Sequence, residues 1–117
     1  MSEVKVKPIV LKDAENGDEF ILEFNRESIK FAESKGFDIS DIENAPMTRL
    51  EELFYYSFRM HNRFVNKEKA MKILYEDLGG LTTAMIERLA ELYAVPVNSL
   101  MRDDEEAPKN AKMTIEM

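Results

Sequence analysis

The stretch EFILEFNRESIKFAESKGFDISDIE, residues 19–43, decides the fold. Phe20, Leu22 and Phe24 fall on one side of an extended chain, with Glu19 and Glu23 on the other. That period of two is the pattern of a half-buried strand. At Asn25 the period changes. Asn is a strong N-cap, and the run after it reads as a helix over 26–35 that buries Ile29, Phe31 and Ala32 and stops at Gly36. A strand passing into a helix within a few residues predicts a small α+β domain.

Upstream, residues 4–11 read as a first strand in which Val4 and Val6 alternate with Lys5 and Lys7. Pro8 has no N–H to donate, which places this strand at an edge or a bulge. Asn16 and Gly17 are a strong hairpin-turn signal. Residues 4–24 are therefore expected to form a hairpin with one apolar face.

Downstream, Pro46 ends a connector and Thr48 is placed to cap a helix over 49–65. On that helix Leu50, Leu53, Phe54, Phe58, His61, Phe64 and Val65 share one broad face. Tyr56 and Met60 widen it beyond the ~100° stripe of an ordinary surface helix. Asn66 caps a third helix over 67–78 with the stripe Ala70, Ile73, Leu74 and Leu78, ended by Gly79 and Gly80. A fourth helix over 81–93 buries Leu81, Met85, Leu89 and Leu92; Pro96 is expected to block its continuation, with residues 97–101 able to add one last turn. The expected architecture is a single α+β domain over 1–101, a β-hairpin packed on about four helices, followed by an acidic tail over 102–117 that is expected to be mobile.

Composition limits the function. The chain has 117 residues, 44% of them hydrophobic, a formal net charge of −7 and no cysteine; its pI is about 4.8. Such a surface repels phosphate backbones and anionic headgroups, so neither nucleic acid nor membrane is an expected partner. No stretch approaches the ~20 apolar residues of a membrane span, and the N-terminus has no signal-peptide pattern. A cytoplasmic protein that binds other proteins is the expectation, and self-association into a homo-oligomer is compatible with it.

No catalytic, cofactor-binding or metal-binding residue is expected. His61 is the only histidine and falls within the apolar face of its expected helix, away from Glu51 and Glu52. One histidine without cysteine cannot assemble the usual zinc ligand set. The DAENGDE run over 13–19 has its glycine at the fifth position, not the sixth of a calcium loop, and no closing Glu at the twelfth. Asp38, Asp41 and Glu43 are ordinary acids of helix ends. The features left over suit binding: Tyr55, Tyr56, Phe58, Met60 and Phe64 form the candidate partner-binding surface, because aromatics and methionine are enriched at interface cores. Met113, Ile115 and Met117 alternate in a way suited to strand addition.

The chain resembles the small tail assembly chaperones of long-tailed phages and related prophages. The resemblance rests on Phe24, Asn25, Ala32, Glu33, Gly36, Phe37 and Asp38, set between a β segment and a helical C-terminal half with an acidic tail. It implies a non-enzymatic factor of the host cytoplasm that binds the tape-measure and tail-tube proteins during tail assembly and is absent from the finished particle. A second resemblance, of residues 85–101 (MIERLAELYAVPVNSLM) to the closing helices of phage-repressor-like helix-turn-helix domains, implies a DNA-binding regulator. Against it, neither 67–78 nor 81–93 offers the basic cluster of a recognition helix.

Overall fold

A computed structural model describes residues 6–101, 112–113 and 115–117. Two antiparallel strands, β1 (Ile9–Lys12) and β2 (Glu19–Leu22), precede four helices: α1 (Arg26–Ser34), α2 (Pro46–Tyr56), α3 (Lys67–Lys72) and α4 (Thr83–Asn98). A 3₁₀ turn, Ile39–Asp41, lies between α1 and α2, and a π-helical turn, Ile73–Asp77, continues α3. The fold is α+β, a hairpin on helices.

The hairpin pairs Ile9 with Leu22, Val10 with Ile21, Leu11 with Phe20 and Lys12 with Glu19. Its loop is longer than a two-residue Asn-Gly turn. Asp13 Oδ1 accepts the N–H groups of Glu15 and Asn16, and Gly17, at φ +78°, donates its N–H to the Asp13 carbonyl. Of the strand expected over 4–11, Val4 and Lys5 lie outside the described residues, and regular pairing begins at Ile9.

The strand-to-helix junction forms as its residues dictate. The Asn25 side chain accepts the Ser28 N–H at 2.7 Å while Ser28 Oγ accepts the Asn25 N–H at 2.9 Å, a reciprocal cap. At the far end Phe37 N–H bonds the Ala32 carbonyl and Gly36 N–H bonds that of Glu33, with Gly36 at φ +91°. That left-handed position is the reason a glycine ends this helix.

α2 departs from its expected span at both ends. Pro46 begins the helix, because a proline at the first helical position gives up only an N–H that has no intrahelical partner. Thr48 therefore lies inside α2 and Ala45 stands at the cap without a side-chain bond. The helix stops at Tyr56, nine residues before the expected end at Val65. Beyond it, Phe58 and Arg59 donate their N–H groups to Tyr55 and Tyr56 in tight i→i+3 turns. The reason lies on β2. The Ser57 carbonyl accepts the Glu23 N–H at 3.0 Å, and Asn62 Oδ1 accepts the Ile21 N–H at 3.0 Å. A continued helix would leave these two donors, on the edge facing away from β1, without their partners.

α4 also differs, beginning at Thr83 and running through Pro96 to Asn98. Thr82 caps it by accepting the Met85 N–H. The stripe over 67–78 is altered too: the π turn bonds Leu78 N–H to the Ile73 carbonyl, i→i+5, and rotates Leu78 off the apolar row, to 37% exposure.

The core is aromatic. Phe20 packs edge-on against Phe58, Phe58 against Phe54, Phe24 against Tyr93, and Phe37 lies between Tyr56 and Tyr93, with ring centroids 5.1–5.8 Å apart. Leu22, Leu53, Ala32, Ala70 and Leu89 are fully buried around these rings. The tail expected over 102–117 lies mostly outside the described residues; Met113, Ile115 and Met117 are exposed. No helix among the described residues is long and apolar enough to cross a membrane.

Candidate functional site

The end of α2 distributes the five candidate partner-binding residues to different surroundings. Tyr56 is buried, its ring against Phe31 and Phe37. Burial first, then the charge of Glu52 and the neighbouring Tyr55, raises the pKa of its hydroxyl above the ordinary tyrosine value. Phe58 is 1% exposed between Phe20 and Phe54. Both rings are spent in the core and present no free surface. Tyr55 is half-buried with its ring 5.0 Å from that of Tyr56, and Met60 is half-buried in the turn that follows.

Phe64 alone stands in solvent, 69% exposed, leaning on Phe20 at 6.3 Å. Lys69 Nζ lies 5.3 Å from the centres of both rings. The single wide face expected of a helix over 49–65 does not form, because the chain leaves helical geometry at Ser57 and successive aromatics turn in different directions.

His61 is likewise not inside an apolar helix face. It sits exposed in the turn, its Nε2 2.8 Å from Glu23 Oε1. With the Ser57 and Asn62 bonds it gives the 57–62 turn a third tie to the strand edge. Sequence reasoning looked for the carboxylate partner on the same helix and missed one that lies 38 residues away.

The connector is held by one guanidinium. Arg49 Nε donates to Asp41 Oδ2 at 2.9 Å, and Nη1 donates to Glu52 Oε1 at 2.7 Å and to the Gly36 carbonyl at 3.4 Å. The hydrogen bond from Arg49, then that from Asn44, holds the Asp41 carboxyl below its ordinary value. Asp41 and Glu52 thus anchor the connector to α2 through Arg49. Among the described residues no three metal-ligating side chains come together.

A surface the sequence reading did not single out lies at the end of α4. Met85, Leu89, Leu92 and Pro96 follow helical spacing along the side that faces the body, and Leu100 follows in the tight turn just past the helix, its N–H on the Val97 carbonyl. Leu89 and Leu92 are buried, but Leu100 is 83% exposed, with Met101 at 75% and Val97 at 43% beside it. The apolar row outlasts the core that it serves. Arg26, at the start of α1, donates to Ser99 Oγ from Nε at 3.4 Å and Nη2 at 3.3 Å, fixing where the overrun begins. Continuing helical spacing through Pro96 would have disclosed this row; stopping at the proline hid it.

Comparison with curated proteins and with solved structures finds no match. A family model described as a domain of unknown function, DUF5055, matches residues 1–117, and the chain belongs to that family.

Proposed function

We propose that this chain is a non-enzymatic protein-binding factor, a tail assembly chaperone that engages the tape-measure and tail-tube proteins in the host cytoplasm. The observation that carries this reading is the apolar run that leaves the end of α4 and its following turn uncovered, with Val97, Leu100 and Met101 exposed on a chain of net charge −7. Leucine and methionine with free side chains adapt to varied apolar partners, and the charged body keeps them from collapsing on one another. Phe64 supplies a second exposed anchor.

The helix-turn-helix reading draws no comparable support. The exposed side of α4 carries Glu87 and Glu91, which would meet the phosphate backbone with like charge.

Co-expression with a tape-measure protein from the same phage or prophage genome tests the proposal. Co-purification is expected, and the pair Leu100→Asp with Met101→Asp should abolish it while leaving the melting temperature unchanged. Absence of co-purification, or a complex indifferent to those substitutions and to Phe64→Asp, would sink the reading.

A further inference from the structure

Antiparallel pairing sorts backbone groups by parity. Asp13 donates its N–H to the Asp18 carbonyl at 2.8 Å, so with the observed register Leu11 with Phe20 and Ile9 with Leu22 are the hydrogen-bonded pairs. Val10 with Ile21 and Lys12 with Glu19 turn their N–H and C=O groups outward. On β2 the outward donors of Ile21 and Glu23 are met by Asn62 and Ser57. On β1 the backbone groups of Val10 and Lys12 have no partner among the described residues, and the sheet ends there with two strands. The inward side chains tell the same story: Phe20 and Leu22 are buried, whereas Ile9 and Leu11 opposite them are only partly covered.

An open edge with half-covered apolar neighbours is the receiving half of a strand addition. The chain carries a donor of matching chemistry. In KMTIEM, residues 112–117, Met113, Ile115 and Met117 alternate with Thr114 and Glu116. The three apolar side chains are 87%, 71% and 115% exposed, so they cover nothing within their own copy. Laid along β1, that row would cover the flank of Ile9 and Leu11. Glu116 would then reach the solvent face that carries Lys12. Ten residues separate Met101 from Lys112, a tether of up to roughly 35 Å, long enough to cross to a neighbouring molecule.

We infer that residues 112–117 of one copy add as a third strand to the outer edge of β1 in a second copy, reciprocally, giving a two-fold strand-exchanged dimer. Exchange in both directions closes the assembly and removes both open edges. The surfaces used are separate from the α4 overrun, so the dimer stands or falls independently of the chaperone reading.

Sedimentation velocity on the full chain should show a concentration-dependent dimer. Truncation after Ala111 and the substitution Ile115→Glu should each weaken it on the order of tenfold or more, with the helical circular dichroism of the fold retained and the concentration dependence of melting lost. Because the chain has no cysteine, mixing a Lys12→Cys chain with a Glu116→Cys chain under mild oxidation reads the contact directly. A disulfide between the two chains is expected. A full chain that stays monomeric, a dimer that survives the truncation, or a Lys12→Cys, Glu116→Cys double variant that closes only within one chain would each overturn the exchange.

Discussion

β1 and β2 are paired along four residues, yet the two strands live in different surroundings. β2 buries Phe20 and Leu22 and hands on to the buried Phe24; its outer edge is stapled by the 57–62 turn. β1 leaves Val10 at 46% exposure and its outer edge unmet among the described residues. The difference teaches where the chain invests its irregular segments. A helix rich in aromatic residues is cut short so that its continuation can satisfy one sheet edge, while the other keeps only Pro8 and Lys12 as guards against indiscriminate pairing.

The comparison can be broken most severely on the β2 side. Leu22→Ala, at a side chain fully enclosed in the core, should cost about 3–5 kcal/mol in chemical denaturation. Alkaline titration should act on the same side. Burial first, then the charges of Glu33 and Asp38, pushes the Tyr93 hydroxyl, whose ring packs on Phe24, up to about 12. A pKa higher in the folded than in the unfolded state means that the folded chain holds its proton longer. Stability is then fully present below about pH 10 and falls as pH rises from 10 towards 12, by on the order of 2 kcal/mol. Tyr93→Phe should make the fall in melting temperature across that window shallower, the buried Tyr56 keeping its own contribution.

Asn62→Leu removes the acceptor of the Ile21 N–H and should cost about 1–2 kcal/mol, with faster amide exchange at Ile21 as the local readout. The smallest effect belongs to β1: Val10→Ala should stay within about 0.5 kcal/mol by thermal melting of the monomer. A loss at Val10 comparable to that at Leu22 would erase the distinction between the strands.

Local signals in the sequence were enough for the hairpin, the Asn25 cap and the Gly36 stop, because each depends on residues within a few positions of one another. The end of α2 was not legible. Phe58, Met60, His61 and Phe64 keep a spacing compatible with a helix, and the demand that breaks it comes from Ile21 and Glu23, more than 30 residues earlier. Tertiary hydrogen bonding outweighed local periodicity there. Pro96 misled in the opposite direction: packing of Leu89, Leu92 and Tyr93 carries α4 past a missing N–H. The candidate surface suffered most, since a face argued from one continuous helix dissolves once the chain turns, leaving Phe64 as its exposed member.

The π turn at Ile73–Asp77 holds one residue more than α-helical hydrogen bonding would need over the same rise. It is therefore a place where the family can gain or lose a residue without re-threading the domain. Deleting Glu76 should restore α geometry and swing Leu78 back towards the core, whereas a deletion within Thr83–Asn98 would turn every later side chain by about 100°. Length variation among homologous chains is expected to collect in this turn, and α4 to keep its count.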